Sequence, residues 1–72
     1  MASNTDKITE KLKINIKAFR KKLKLTQFEL SVQADIAEDY LQSIEAGRRK
    51  PSLDVLGKIA DALKIEPYEL LK

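Results

Sequence analysis

The sequence predicts an all-α fold, a compact bundle of five helices, and three observations carry that expectation. Apolar residues recur at Ile8, Leu12, Ile16, Phe19 and Leu23, at intervals of four, four, three and four, which draws a single stripe along one helix. Thr26 and Glu29 form a T-x-x-E pair, in which hydroxyl and carboxylate reciprocally satisfy backbone N–H groups that a helix start leaves unpaired. Cap and turn residues then punctuate the remainder at Gly47, Ser52 and Pro67, and no strand pattern competes with the helical spacing.

Residues 1–5 are expected to form a flexible tail and residues 6–72 one domain. The first helix should start near Asp6 and leave at Lys24, where Gly or Asn would sit more easily in a left-handed conformation. The second follows from Gln27 to about Gln33. Small or apolar residues at Leu30, Ser31, Ala34, Ile36, Leu41 and Ile44 keep a helical spacing that breaks at Ala34-Asp35-Ile36 and resumes in a new phase. A tight turn should therefore separate helix two from a third helix running from Ala37 or Glu38 to Ala46, the two crossing steeply over a shared core. Ser31 is small where they must approach. Gly47 supplies a permissive exit, the loop Gly47-Arg48-Arg49-Lys50-Pro51 leads to the capping hydroxyl of Ser52, and helix four places Leu53, Leu56, Ile59, Ala60 and Leu63 on one face. Pro67 suits a first helical position because its missing N–H has no intrahelical partner, so a last helix should span Pro67 to Leu71.

Composition excludes several classes of chemistry. A chain of 72 residues makes one domain whose core is near the lower limit for stability, so self-association is the default. With no Cys and no His there are no disulfides, thiolates or imidazole bases, and the usual transition-metal ligands are missing, so no metal or other cofactor is expected. No apolar run approaches the roughly 18 residues that span a membrane, and Met1 to Asp6 is too polar for a signal peptide. A cytoplasmic protein with no membrane partner and no evident small-molecule ligand is the expectation. Carboxylate pairs such as Asp54 with Asp61 lack a nucleophile, a base or a Gly-rich phosphate loop beside them, which leaves an enzyme without support.

Charge is distributed unevenly behind the net +3. Met1 to Lys24 carries eight basic and two acidic residues, Leu25 to Ala46 none and five, and Gly47 to Lys72 six and four. The lysines at 11, 13, 17, 21 and 22 lie mostly off the apolar stripe of helix one, as a solvated face would, and a direct phosphate-contacting role is the alternative.

Three segments, FRKKLKLTQFEL from Phe19, YLQSIEAGRRKPSL from Tyr40 and IADALKIEPYELL from Ile59, together make the span from about Ile16 to Leu71 resemble the phage-repressor and Cro-type helix-turn-helix family, often called the XRE family. The resemblance implies a lambda-repressor-like fold and binding to double-stranded DNA. A subset of the features, Tyr40 and the basic loop among them, is similar to the controller proteins of restriction–modification systems. The resemblance further implies that Gln27, first in helix two, bonds a phosphate, and that Glu38, Asp39, Gln42 and Ser43 stand on the exposed face of the recognition helix, with Tyr40 in the controller-like position. It implies that Arg20 and Glu45 form an internal salt bridge, and that Tyr68 and its neighbours Ile65 and Leu71 lie on a dimerisation surface.

The chain departs from the family pattern at its turn and at its third helix. Asp35 stands where Gly is usual, although Asp tolerates a left-handed conformation better than most residues. Ala37 replaces the usual Ser or Thr cap, at a cost of about 0.5–2 kcal/mol. Glu38 and Asp39 replace neutral or basic residues. At a helix N-terminus acids favour the dipole, whereas against DNA they meet phosphates unless they accept from cytosine amino groups. Tyr40 and Tyr68 each have a core role as their alternative.

These expectations converge on a sequence-specific DNA-binding transcriptional regulator acting as a homodimer on a near-palindromic operator. Helix three would enter the major groove with base contacts from Asp39, Tyr40, Gln42 and Ser43, while Arg48, Arg49 and Lys50 and the start of helix four hold flanking phosphates. The rival is a protein-interaction or antitoxin-like module that uses the acidic third helix, with the five acidic residues of Leu25 to Ala46 in its favour.

Overall fold

The computed structural model describes residues 3–72. Four α-helices, α1 (Asn4–Lys22), α2 (Gln27–Ala34), α3 (Glu38–Glu45) and α4 (Leu53–Leu63), are followed by a 3-10 helix at Pro67–Leu71, in a body of 35 × 23 × 21 Å. The fifth expected helix is thus of the tighter kind. Five residues can close few i→i+4 bonds, and a short segment is satisfied by i→i+3 bonds instead.

Helix α1 begins two residues before the expected Asp6. The Ser3 hydroxyl accepts from the Asp6 N–H at 3.1 Å and the Asp6 carboxylate accepts from the Ser3 N–H at 3.3 Å, a capping box built with Asp instead of Glu. Of the expected tail, residues 1 and 2 lie outside the described residues, and residues 3–5 form the cap and first turn of α1. Thr26 and Glu29 close the same reciprocal pair at α2, at 3.0 and 2.8 Å. Ser52 accepts from the Val55 N–H at 3.2 Å and starts α4. Ala37 offers α3 no side-chain bond.

All four α-helices leave by one device. The residues Lys24, Asp35, Gly47 and Lys64 take positive φ of 59°, 56°, 79° and 61°. Behind each, the next N–H bonds a carbonyl five residues back: Leu25 to Arg20, Ile36 to Ser31, Arg48 to Ser43 and Ile65 to Ala60, at 2.9–3.1 Å. This recovers helix-end carbonyls that would otherwise lack a donor. Only one of the four exits uses glycine.

The core gathers where α2, α3 and α4 meet beneath α1. Ile16, Leu30, Leu41, Ile44, Ile59 and Leu70 are each less than 2% exposed, and each such side chain stabilises the fold by roughly 1.5–3 kcal/mol. Ser31, 1% exposed, lets α2 press close, and its hydroxyl donates to the Phe28 carbonyl at 2.7 Å. The apolar stripe of α1 is buried only at its middle: Leu12 and Ile16 are enclosed, Phe19 is half-buried, and Ile8 and Leu23 stand 48% and 45% exposed at the two ends. Leu53, which spacing assigns to the buried face of α4, is 88% exposed, because it occupies the first turn at the open rim of a groove between α1 and α4. The 3-10 helix docks on α1 through Leu70, and the Asn15 amide donates to the carbonyls of Leu70 at 2.9 Å and Lys72 at 3.3 Å.

Candidate nucleic-acid interface

Helix α3 is held from behind and presented forwards. Behind it, Arg20 on α1 donates from Nε to Glu45 Oε2 at 2.8 Å and from Nη2 to Oε1 at 2.9 Å, while its Nη1 donates to the Leu25 carbonyl at 2.8 Å. A forked, two-bond geometry of this kind fixes orientation as well as distance. Gln27, the first residue of α2, donates from Nε2 to Glu45 Oε1 at 3.1 Å. Glu45 therefore ties the exit of α1, the start of α2 and the end of α3 into one network, with no buried polar side-chain atom left without a partner among the described residues. Gln27 is half-buried, so one of its amide hydrogens is committed inward while its backbone N–H stands at the positive end of α2.

Forwards, Glu38, Asp39 and Gln42 are exposed, and Tyr40 and Ser43 are half-buried along the flanks of the same helix. Tyr40 packs one side of its ring against the core, and the Arg49 guanidinium stands 5.6 Å from the ring centroid. The half-buried Tyr40 ring thus takes up the core role that was its alternative, with Arg49 beside it. The loop that follows carries Arg48, Arg49 and Lys50 fully on the surface, between the end of α3 and the Ser52 cap of α4. The Arg48 and Arg49 N–H groups both point back to the Ser43 carbonyl, at 2.9 and 3.3 Å, which anchors the loop to α3. The stacking of Arg49 on Tyr40 and the bond from Gln27 to Glu45 join residues 9 and 18 positions apart, and neither has a signal in local sequence spacing.

Of the three residues expected at a self-association surface, Ile65 is half-buried against the chain's own core, whereas Tyr68 and Leu71 are 60% and 44% exposed. Lys72 Nζ lies 5.2 Å from the Tyr68 ring centroid. Leu71 lines an apolar groove of about 320 Å³ with Ile8, Leu12, Pro51, Leu53 and Leu56, at the foot of the basic loop. No group of three or more His, Cys, Asp or Glu side chains that could hold a metal ion occurs among the described residues.

The recognition-type pair α2 and α3, its turn, α4 and the last part of α1 with Arg20 fall in the part of the chain that matches the family model described as Helix-turn-helix, residues 16–70. The chain belongs to this helix-turn-helix family. Among its relatives, the immunity repressor protein of Bacillus phage phi105 is 47% identical over 51 residues, which are 71% of this chain and 35% of the repressor. This helix-turn-helix chain thus spans about a third of that protein's length. The control protein C.BamHI of Bacillus amyloliquefaciens is 38% identical over 50 residues, 69% of this chain and 62% of that protein. The crystal structure of the restriction–modification controller protein C.AhdI from Aeromonas hydrophila superposes with a TM-score of 0.83 at 32% identity, covering 92% of this chain and 97% of the controller. As a helix-turn-helix protein of the XRE type, the chain belongs with DNA-binding transcriptional regulators.

Proposed function

We propose that the chain binds double-stranded DNA sequence-specifically as a homodimer on a near-palindromic operator and thereby regulates transcription. The observation that carries this is the unbroken run from the outward face of α3 into the exposed Arg48-Arg49-Lys50 loop, on a helix pair clamped from behind by Arg20, Gln27 and Glu45. Helix α3 enters the major groove, where Gln42 pairs with adenine, Asp39 accepts from a cytosine amino group, and Ser43 and Tyr40 reach a thymine or phosphate. Glu38 stabilises the helix start. The basic loop, the start of α4 and Gln27 hold phosphates and fix the register. Tyr68 and Leu71, with Ile65 supporting them from the core side, supply the two-fold contact that spaces the recognition helices by about 34–36 Å.

The acidic residues of α3 favour a second function, docking to a basic protein as an antitoxin-like module. Salt dependence separates the two. Six loop contacts from a dimer give a log–log slope near −5 with duplex DNA, and replacing Arg48, Arg49 and Lys50 by Ala removes most of it at every site. An unchanged slope in that triple variant overturns the assignment of the loop, and no salt-sensitive binding by the parent chain overturns the DNA reading altogether.

A further inference from the structure

The lysine face of α1 has one member that is placed unlike the rest. Arg20 and Lys13 are seven residues apart, two turns of helix, and so share a face of α1. Arg20 on that face grips Glu45 at the end of α3. Lys13 lies against the next feature along, Gly47: a methyl group placed on Gly47 would stand 3.2 Å from Lys13 Cδ and 3.9 Å from its Nζ. Gly47 thus has two reasons to lack a side chain, its φ of 79° and the lysine stem that crosses it. The ammonium of Lys13 consequently emerges beside the first residues of the Arg48-Arg49-Lys50 loop, where its side chain keeps 37% exposure and a single 3.4 Å ion pair with the more exposed Glu10.

We infer that Lys13 is a further phosphate-contacting residue, delivered to the DNA backbone by α1 and positioned by the bare backbone of Gly47, so that the phosphate clamp is built from two elements distant in sequence. This rests on the DNA-binding function proposed above. Three features support it. The stem crosses the bare backbone of Gly47 and its side chain is 37% exposed, so part of its freedom is already lost before binding. The ammonium stands beside Gly47, the residue that opens the basic loop directly before Arg48, so a backbone phosphate held at the start of that loop lies on the same side of the domain as Lys13. Its one partner, Glu10, sits on an exposed i,i+3 pair that a phosphate can displace. The competing role for Lys13 is purely local: a cation near the C-terminal end of α3 complements the helix dipole and needs no ligand.

Lys13→Met retains the stem over Gly47 and removes the charge, Lys13→Arg retains the charge, and Lys64→Met removes a charge from the far end of α4, about 16 Å along that helix from the loop. Binding of each variant to the selected operator duplex and to a scrambled duplex is titrated across salt concentrations, with thermal melting alongside. The expected result is that Lys13→Met flattens the log–log slope by about 1.8, one contact from each subunit, on both duplexes, while Lys13→Arg and Lys64→Met leave the slope at the parent value. A steep parent slope that Lys13→Met does not change overturns the inference and leaves the DNA-binding function standing, and a lowered melting temperature with that unchanged slope assigns Lys13 to the helix dipole. Equal flattening by Lys64→Met reduces the effect to net charge and also overturns it. A flat parent slope removes the inference and the function together.

Discussion

Arg20 and Glu45 meet through two parallel hydrogen bonds of 2.8 and 2.9 Å, with side chains only 9% and 3% exposed, so that a charged pair stands at the centre of the support for α3. Removing one member strands the other. Glu45→Ala should therefore destabilise the fold by about 3 kcal/mol or more, because the guanidinium is left enclosed without its counter-charge and Gln27 loses its acceptor. The denaturant midpoint measures this, and a variant as stable as the parent would show that the pair is hydrated in solution.

Tyr40 is predicted to act through its ring. An arginine over an aromatic face gains about 0.5–1 kcal/mol at an accessible site, and here it also orders Arg49 for the backbone. Beyond any loss that Tyr40→Phe shows from the hydroxyl, Tyr40→Leu should weaken operator binding by roughly a further two- to five-fold, following the same free energy. Equal losses in both variants would assign the contact to the hydroxyl and a base or phosphate.

The start of α3 offers an unused stabilisation. Ala37 has the extended backbone of an N-cap, φ −69° and ψ 143°, and no side-chain acceptor. Ala37→Ser should add about 1 kcal/mol, which for a domain of this size raises the melting temperature by roughly 4–8 °C. No change on calorimetry would mean that the Glu38 and Asp39 carboxylates already satisfy those N–H groups.

These cases show what local sequence carries and what it does not. Thr26 with Glu29, Ser52 and Gly47 announce helix ends because the bonds they make reach three to five residues, within a readable window. Ser3 makes an equivalent box, yet its partner is the shorter Asp6, and that is why α1 starts earlier than its pattern indicates. Leu70 and Leu71 are adjacent and chemically identical; the docking angle of a 3-10 helix buries the first and exposes the second, and no periodicity over five residues distinguishes them. The left-handed Lys24 and Lys64 carry no compositional mark, since the i→i−5 bonds behind them impose the conformation on whichever residue is there. The exposed positions Glu38, Asp39 and Gln42 of α3 follow from the family resemblance, whereas the Gln27 and Arg49 contacts depend on tertiary placement.

Self-association is predicted to depend on the exposed apolar corner. Tyr68→Ala, and separately Leu53→Asp at the rim of the groove shared with Ile8 and Leu71, should raise the dimer dissociation constant and weaken operator binding in parallel. Sedimentation of the parent checks the premise. A chain that stays monomeric at high micromolar concentration and on DNA would exclude a two-fold reader.

The Asn15 amide, closed on the carbonyls of Leu70 and Lys72, has a consequence for the order in which the molecule assembles. The helices and their exits are made of bonds between near neighbours, which form without closing large loops, whereas this clasp joins positions 55 and 57 residues apart. Its closure requires the intervening chain to be folded first, since an ordered bundle brings α1 and the last segment together at little further entropic cost. The seam between them is therefore predicted to close late in folding. Native-state hydrogen exchange should then release the amides of the C-terminal segment ahead of those of α3, and equal protection of the two would refute that order.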